Sequence, residues 1–168
     1  MKENNMQKIS HLLSVVLKAG CIIMLALIIL LALGTLITLC TSFAAPERFH
    51  TLLNSLAQTA PFLNFSQYIL FLIFCIGIFV CIFFVLYNAS KIFSCIGKGI
   101  SPFTKDTSSR IRKIAVWIIF YGIFSLLSVF KITFASFLLC CLFALILFCI
   151  SLIFDYGCTL QQEIDETL

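Results

Sequence analysis

Polar and apolar positions in this chain fall into blocks. Residues 1–18 are polar and then amphipathic. Uncharged apolar runs follow at 19–45, 62–89, 114–130 and 134–154, and charge returns between them and after the last. About 20 residues of helix, rising 1.5 Å each, cross a hydrocarbon core of ~30 Å, so each run reads as a transmembrane helix. The second run reaches ~40 Å on that rise, so its helix is expected to continue past the bilayer through Ser90–Ile96. The third has seventeen uncharged residues between Lys113 and Lys131. It spans ~25 Å and crosses with both lysines snorkelling.

The connections have their own signals. Pro46 ends the first run. In PERFHTLLNSLAQ, Phe49, Leu52, Leu53 and Leu56 recur at i, i+3, i+4 and i+7, which predicts a short amphipathic helix on the outer face. GKGISPF breaks the second helix, and Thr104 with Asp106 is placed to cap and charge the start of the third. Lys131-Ile132-Thr133 is expected to be a tight turn. Ser42-Phe43-Ala44 fits a signal-peptide cleavage site, but the preceding run is longer than the 7–15 residues usual for such a leader, so a retained helix is expected.

Composition strengthens the membrane reading. Hydrophobic residues make up 62% of the 168, charged residues 11%, and the mean hydropathy is +1.16. A soluble domain carries roughly a quarter of its residues charged. Nineteen phenylalanines against one tryptophan fit the codon drift of a low-GC bacterial genome. Of the eleven Lys and Arg, Lys2, Lys8 and Lys18 precede the first span. Lys91, Lys98, Lys105, Arg110, Arg112 and Lys113 lie in the central segment 91–113, and the other two connections hold Arg48 and Lys131. The positive-inside rule then puts both termini and the central segment in the cytoplasm, N-in and C-in.

Enzyme chemistry finds no support. No Asp, Glu, Lys, Arg or His falls within a span, whereas ion- and proton-coupled pathways are usually marked by such residues. Thr35, Thr38, Asn88, Ser125 and Ser128, with Gly34, Gly77 and Gly122, are expected to serve close helix packing. The nine cysteines show no zinc spacing, and His11 and His50 have no companion ligand, so neither metal nor cofactor is expected. Gly97-Lys98 lacks the earlier glycine and the following Ser or Thr of a phosphate loop. Glu163 and Asp165, two apart on a helix, point away from each other.

The tail, 155–168, carries four acids and no base, and Tyr156, Leu160, Ile164 and Leu168 recur every four residues, so it reads as a helix continuing the fourth span with one apolar stripe. Glu163, Asp165 and Glu166 near a helix C-terminus oppose its dipole and face a negative leaflet. Docking of this tail on Lys98, Arg110, Arg112 and Lys113, when no partner is bound, would offset both. The plainer alternative is a positive-inside determinant beside a solvated tail.

Gly99-Ile100-Ser101-Pro102-Phe103, Arg110-Ile111-Arg112-Lys113-Ile114 and the ending Gly157-Cys158-Thr159-Leu160-Gln161-Gln162-Glu163-Ile164-Asp165-Glu166-Thr167-Leu168 resemble the bacterial membrane-protein family filed as domain of unknown function 2975. Ile164 stands where that family more often has Asn. The resemblance implies a small four-helix membrane protein of no established activity, often encoded beside a helix-turn-helix regulator of the Cro/C1 type.

The expectation is therefore an all-α integral membrane four-helix bundle in a bacterial plasma membrane, non-enzymatic, with a short amphipathic helix between spans 1 and 2. Its cytoplasmic face is expected to bind or restrain a protein partner, a helix-turn-helix regulator being the one that the resemblance offers. The residues involved are Lys98, Pro102, Phe103, Arg110, Arg112, Lys113, Leu160, Gln162, Glu163 and Asp165. Direct nucleic-acid binding is not expected, because anionic lipid competes for the same charges. A different class, a homo-oligomeric transport, channel or immunity-type component, is the second reading.

Overall fold

A computed structural model of the protein describes residues 2–44, 65–127 and 134–167. They form four helices: α1 (Lys2–Ala44), α2 (Phe65–Gly97), α3 (Lys105–Leu127) and α4 (Phe134–Thr167). The expected outer amphipathic helix (46–58), the turn at 131–133 and Ser128 lie outside the described residues. Among those described, the fold is wholly helical.

One boundary differs from the reading of apolar runs. The polar N-terminal arm is not separate from the first span but is helix from Lys2 onward. No proline interrupts the chain before Pro46, and a helix propagates at little cost once nucleated. The acidic tail is the uninterrupted end of α4, as its four-residue recurrence predicts.

Among the described residues, three stretches are long and apolar enough to cross a membrane: Gln7–Ser42, Ile69–Gly97 and Phe134–Ile164. The first two and a half turns of α3 instead hold Lys105, Asp106, Arg110, Arg112 and Lys113. Its apolar part, 114–127, is ~21 Å long.

The helices pack in chain order, α1 on α2, α2 on α3 and α3 on α4. Each burial pattern shows how many neighbours a helix has. On α1 the positions withdrawn from the surface step mostly by three and four: Gln7, Ser10, Ser14, Leu17, Cys21, Met24, Ile28, Leu31, Thr35, Thr38 and Ser42, with Gly20 beside Cys21. That is the narrow seam of a helix with one partner at a left-handed crossing. The rest of α1, including Ile22 at 70% exposed, faces outward. By contrast α2, with neighbours on two sides, is half-buried along most of its length.

Lipid gives no hydrophobic gain to helix association, so close approach of small residues carries more of the packing. A Cβ at Gly77 would lie 2.9 Å from the Phe124 ring, and one at Gly122 would lie 3.2 Å from Cys140 Cβ and from Phe137. Gly34 behaves differently. Nothing lies within 4 Å of a Cβ there, and the Thr35 and Thr38 hydroxyls donate to carbonyls of their own helix at 2.7 and 2.6 Å. The expectation of close packing is met at Gly77 and Gly122 and corrected at Gly34, because α2 covers a single stripe of α1.

Candidate functional site

Antiparallel contacts bring the N-terminal ends of α1 and α3 and the C-terminal ends of α2 and α4 to one end of the molecule. Ser10 Oγ donates to Phe93 O at 2.7 Å, and Ser14 Oγ to Ser90 O at 3.2 Å. These bonds tie the α1 arm to the end of α2. The basic segment and the base of the acidic tail meet at this same end.

The segment's shape follows from its local sequence. The end of α2 closes with paired bonds, Ile100 N to Cys95 O at 3.3 Å and Gly99 N to Ile96 O at 3.0 Å. Gly99 sits at φ +75°, the left-handed conformation that glycine adopts without penalty at a helix end. Pro102 and Phe103 cross over to α3. There Thr104 Oγ1 accepts the Thr107 N–H at 3.2 Å, the cap expected of Thr at that position. Asp106 lies in the first turn, on the favourable side of the helix dipole.

The tail helix packs against this segment through three kinds of contact. The Phe103 ring lies 5.2 Å from the Phe154 ring and fills the space above Gly157, where a Cβ would come 2.7 Å from Phe103 Cδ1. Ser101 Oγ donates to Gln161 Oε1 at 3.0 Å. Arg112 Nη2 bonds Asp155 Oδ2 at 2.9 Å, with its guanidinium 5.5 Å from the Phe148 ring centre. Beneath them, Ser108 and Ser151 are 1% and 0% exposed. Their hydroxyl oxygens lie 3.0 Å apart, and each is within hydrogen-bond reach of the other residue's carbonyl oxygen, at 3.0 and 3.1 Å.

Of the residues expected to form the site, Phe103, Arg112 and Gln162 are brought together with the tail helix. Gln162 lines a hollow with Phe103, Thr104 and Cys158. Arg110 turns instead to Asp106 in its own helix, Nε to Oδ2 at 2.7 Å. Lys98, Lys113 and Glu163 are exposed, Pro102 is half-buried, and Leu160 is 42% exposed. The Asp165 side chain lies outside the description.

Sequence reasoning missed Ser101, Ser108, Ser151, Phe154, Asp155, Gly157 and Gln161. Asp155 had a signal, as the first acid after the apolar run and on the side of the Arg cluster. The serines had none, because a lone Ser in an apolar run does not reveal its partner. Among the described residues, no three His, Cys, Asp or Glu side chains gather as a metal site.

No family model matches the chain, and no curated protein or solved structure does.

Proposed function

We propose that this is a multi-pass protein of a bacterial plasma membrane, crossing four times with both termini in the cytoplasm. Its charged end is a docking platform for a protein partner. The observation that carries this reading is the apolar stripe on α4 past 134–154, whose ~20 residues already reach across a hydrocarbon core. Tyr156 is 67%, Leu160 42% and Ile164 59% exposed, beside charged groups that face water. A helix that keeps one apolar face outside hydrocarbon is built to lay that face against something. The Arg112–Asp155 and Phe103–Phe154 contacts support the tail helix where a partner would meet it. A helix-turn-helix regulator is the partner suggested by the motif resemblance. Catalysis is not part of the proposal.

Two experiments test it. Single cysteines at Ser109 and Gln162, in a background without other reactive thiols, should be labelled by a membrane-impermeant maleimide only from the cytoplasmic side. Labelling from opposite sides would end the topology. A photo-crosslinking residue at Leu160 should capture a discrete cytoplasmic protein in living cells, and one at lipid-facing Leu142 should not. Identical products at both positions would remove the docking role.

A further inference from the structure

The groove between α3 and α4 at the charged end has a chemistry that the docking reading does not use. It is open, about 440 Å³ in volume, and lined by Lys105, Ser108, Ser109, Arg112, Asp155 and Thr159. On α3, Lys105, Ser109, Arg112 and Val116 succeed one another at i, i+4, i+7 and i+11. On α4, Thr159, Asp155, Leu152 and Phe148 do the same in reverse. Those spacings put each set on one helix face. The two helix faces that form the groove therefore change character along their length, from two cations and hydroxyls at the charged end to exposed apolar side chains below. Val116 is 46%, Phe148 44% and Leu152 50% exposed.

We infer that this groove binds the phosphodiester headgroup of an anionic glycerophospholipid, with the acyl chains lying along Val116, Leu152 and Phe148. The inference rests on the membrane-spanning reading above. Lys105 and Arg112 supply two positive charges and Asp155 one negative. The net single positive charge matches a phosphodiester, which carries one negative charge, and disfavours a phosphomonoester carrying nearly two. Asp155 engages one nitrogen of Arg112 and so fixes the guanidinium at the mouth of the groove. The remaining N–H groups can then meet a phosphate. Ser109 and Thr159 add hydroxyls, which a phosphate or a glycerol headgroup can use. A soluble phosphate would gain nothing from the apolar half. A lipid in the cytoplasmic leaflet would meet both halves at once.

The test uses the full-length protein in nanodiscs of equal parts phosphatidylglycerol and phosphatidylcholine, released and weighed by native mass spectrometry. Phosphatidylglycerol should be retained in preference. Lys105→Ala and Arg112→Ala should each lower its retention about tenfold, as expected for one hydrogen bond to a charged group. Arg112→Lys, which keeps the charge but loses the fork of N–H donors, should fall between wild type and Arg112→Ala, and Lys113→Ala, whose side chain lies outside the groove, should stay near wild type. Equal retention of the two lipids would overturn the inference. So would an equal loss in Lys113→Ala, or displacement of the lipid by millimolar inorganic phosphate. Extraction of the protein from membranes by sodium carbonate would instead overturn the spanning reading. Carbonate-resistant protein without lipid preference would sink the lipid site alone.

Discussion

The Ser108–Ser151 pair offers the most direct test of how α3 and α4 are joined. Both side chains are buried, and the three short distances between them can be wired in two ways. There are two protons to place. If each goes to the opposite carbonyl, the two bonds are independent. If one hydroxyl donates to the other, deleting either serine removes a bond from both. The similar carbonyl distances, 3.0 and 3.1 Å, favour independent wiring. Ser108→Ala should then cost about one hydrogen bond, ~0.5–1.5 kcal/mol, and toward ~0.6 if the site behaves like the membrane interior. Ser151→Ala should cost the same. The carbonyl left behind remains a helix acceptor, so no orphaned group adds to the loss. The double variant should lose the sum of the two, ~1–3 kcal/mol, with a coupling below ~0.5 kcal/mol. Reversible unfolding in mixed micelles, or steric trapping in bicelles, measures all four corners of the cycle. A coupling near 1 kcal/mol or above would refute the independent wiring, and two silent single variants would refute any role for the pair.

Four further outcomes follow from the geometry. Gly122→Val should push α3 from α4 and cost ~1–3 kcal/mol, because its Cβ starts 3.2 Å from Cys140 Cβ. Gly34→Ala should be neutral or stabilise by ~0.5–1 kcal/mol, as the same unfolding assay would read. Gly99→Ala should cost ~1–2 kcal/mol for its left-handed backbone, and Gly99→Asn should cost less, so the order Gly, Asn, Ala in midpoint is the check. Asp155→Asn should shift stability by less than ~1 kcal/mol, because both partners of its ion pair are over two-fifths exposed. That small effect should shrink further in high salt.

The helical class and three spanning stretches were legible because long uncharged runs have one physical meaning in water and another in lipid. The Thr104 cap and the break at Gly97–Gly99 were legible for the same reason, as each depends on a few adjacent residues. What lay hidden was pairwise. The α1 seam runs through Ser10, Ser14 and Cys21, between outward residues that are more apolar than the seam itself. Hydrophobic periodicity therefore pointed away from it, as it must where the solvent is hydrocarbon. Tail contact with the basic segment was anticipated through its late acids, while the ion pair described between them involves Asp155, at the tail's start. The difference arises because a continuing helix brings its base alongside α3 and carries its end onward.

That continuity has a mechanical consequence. α4 is a single rod ~50 Å long, with no proline to act as a joint. The reciprocal serine clamp holds it ~25 Å from its start at Phe134 and ~20 Å from Ile164. A sideways load on the end of such a rod acts first on the clamp. The two arms are nearly equal in length, and the arm toward Phe134 is also packed at Gly122 against Phe137 and Cys140, so the load at Ile164 is shared between the serines and that second contact.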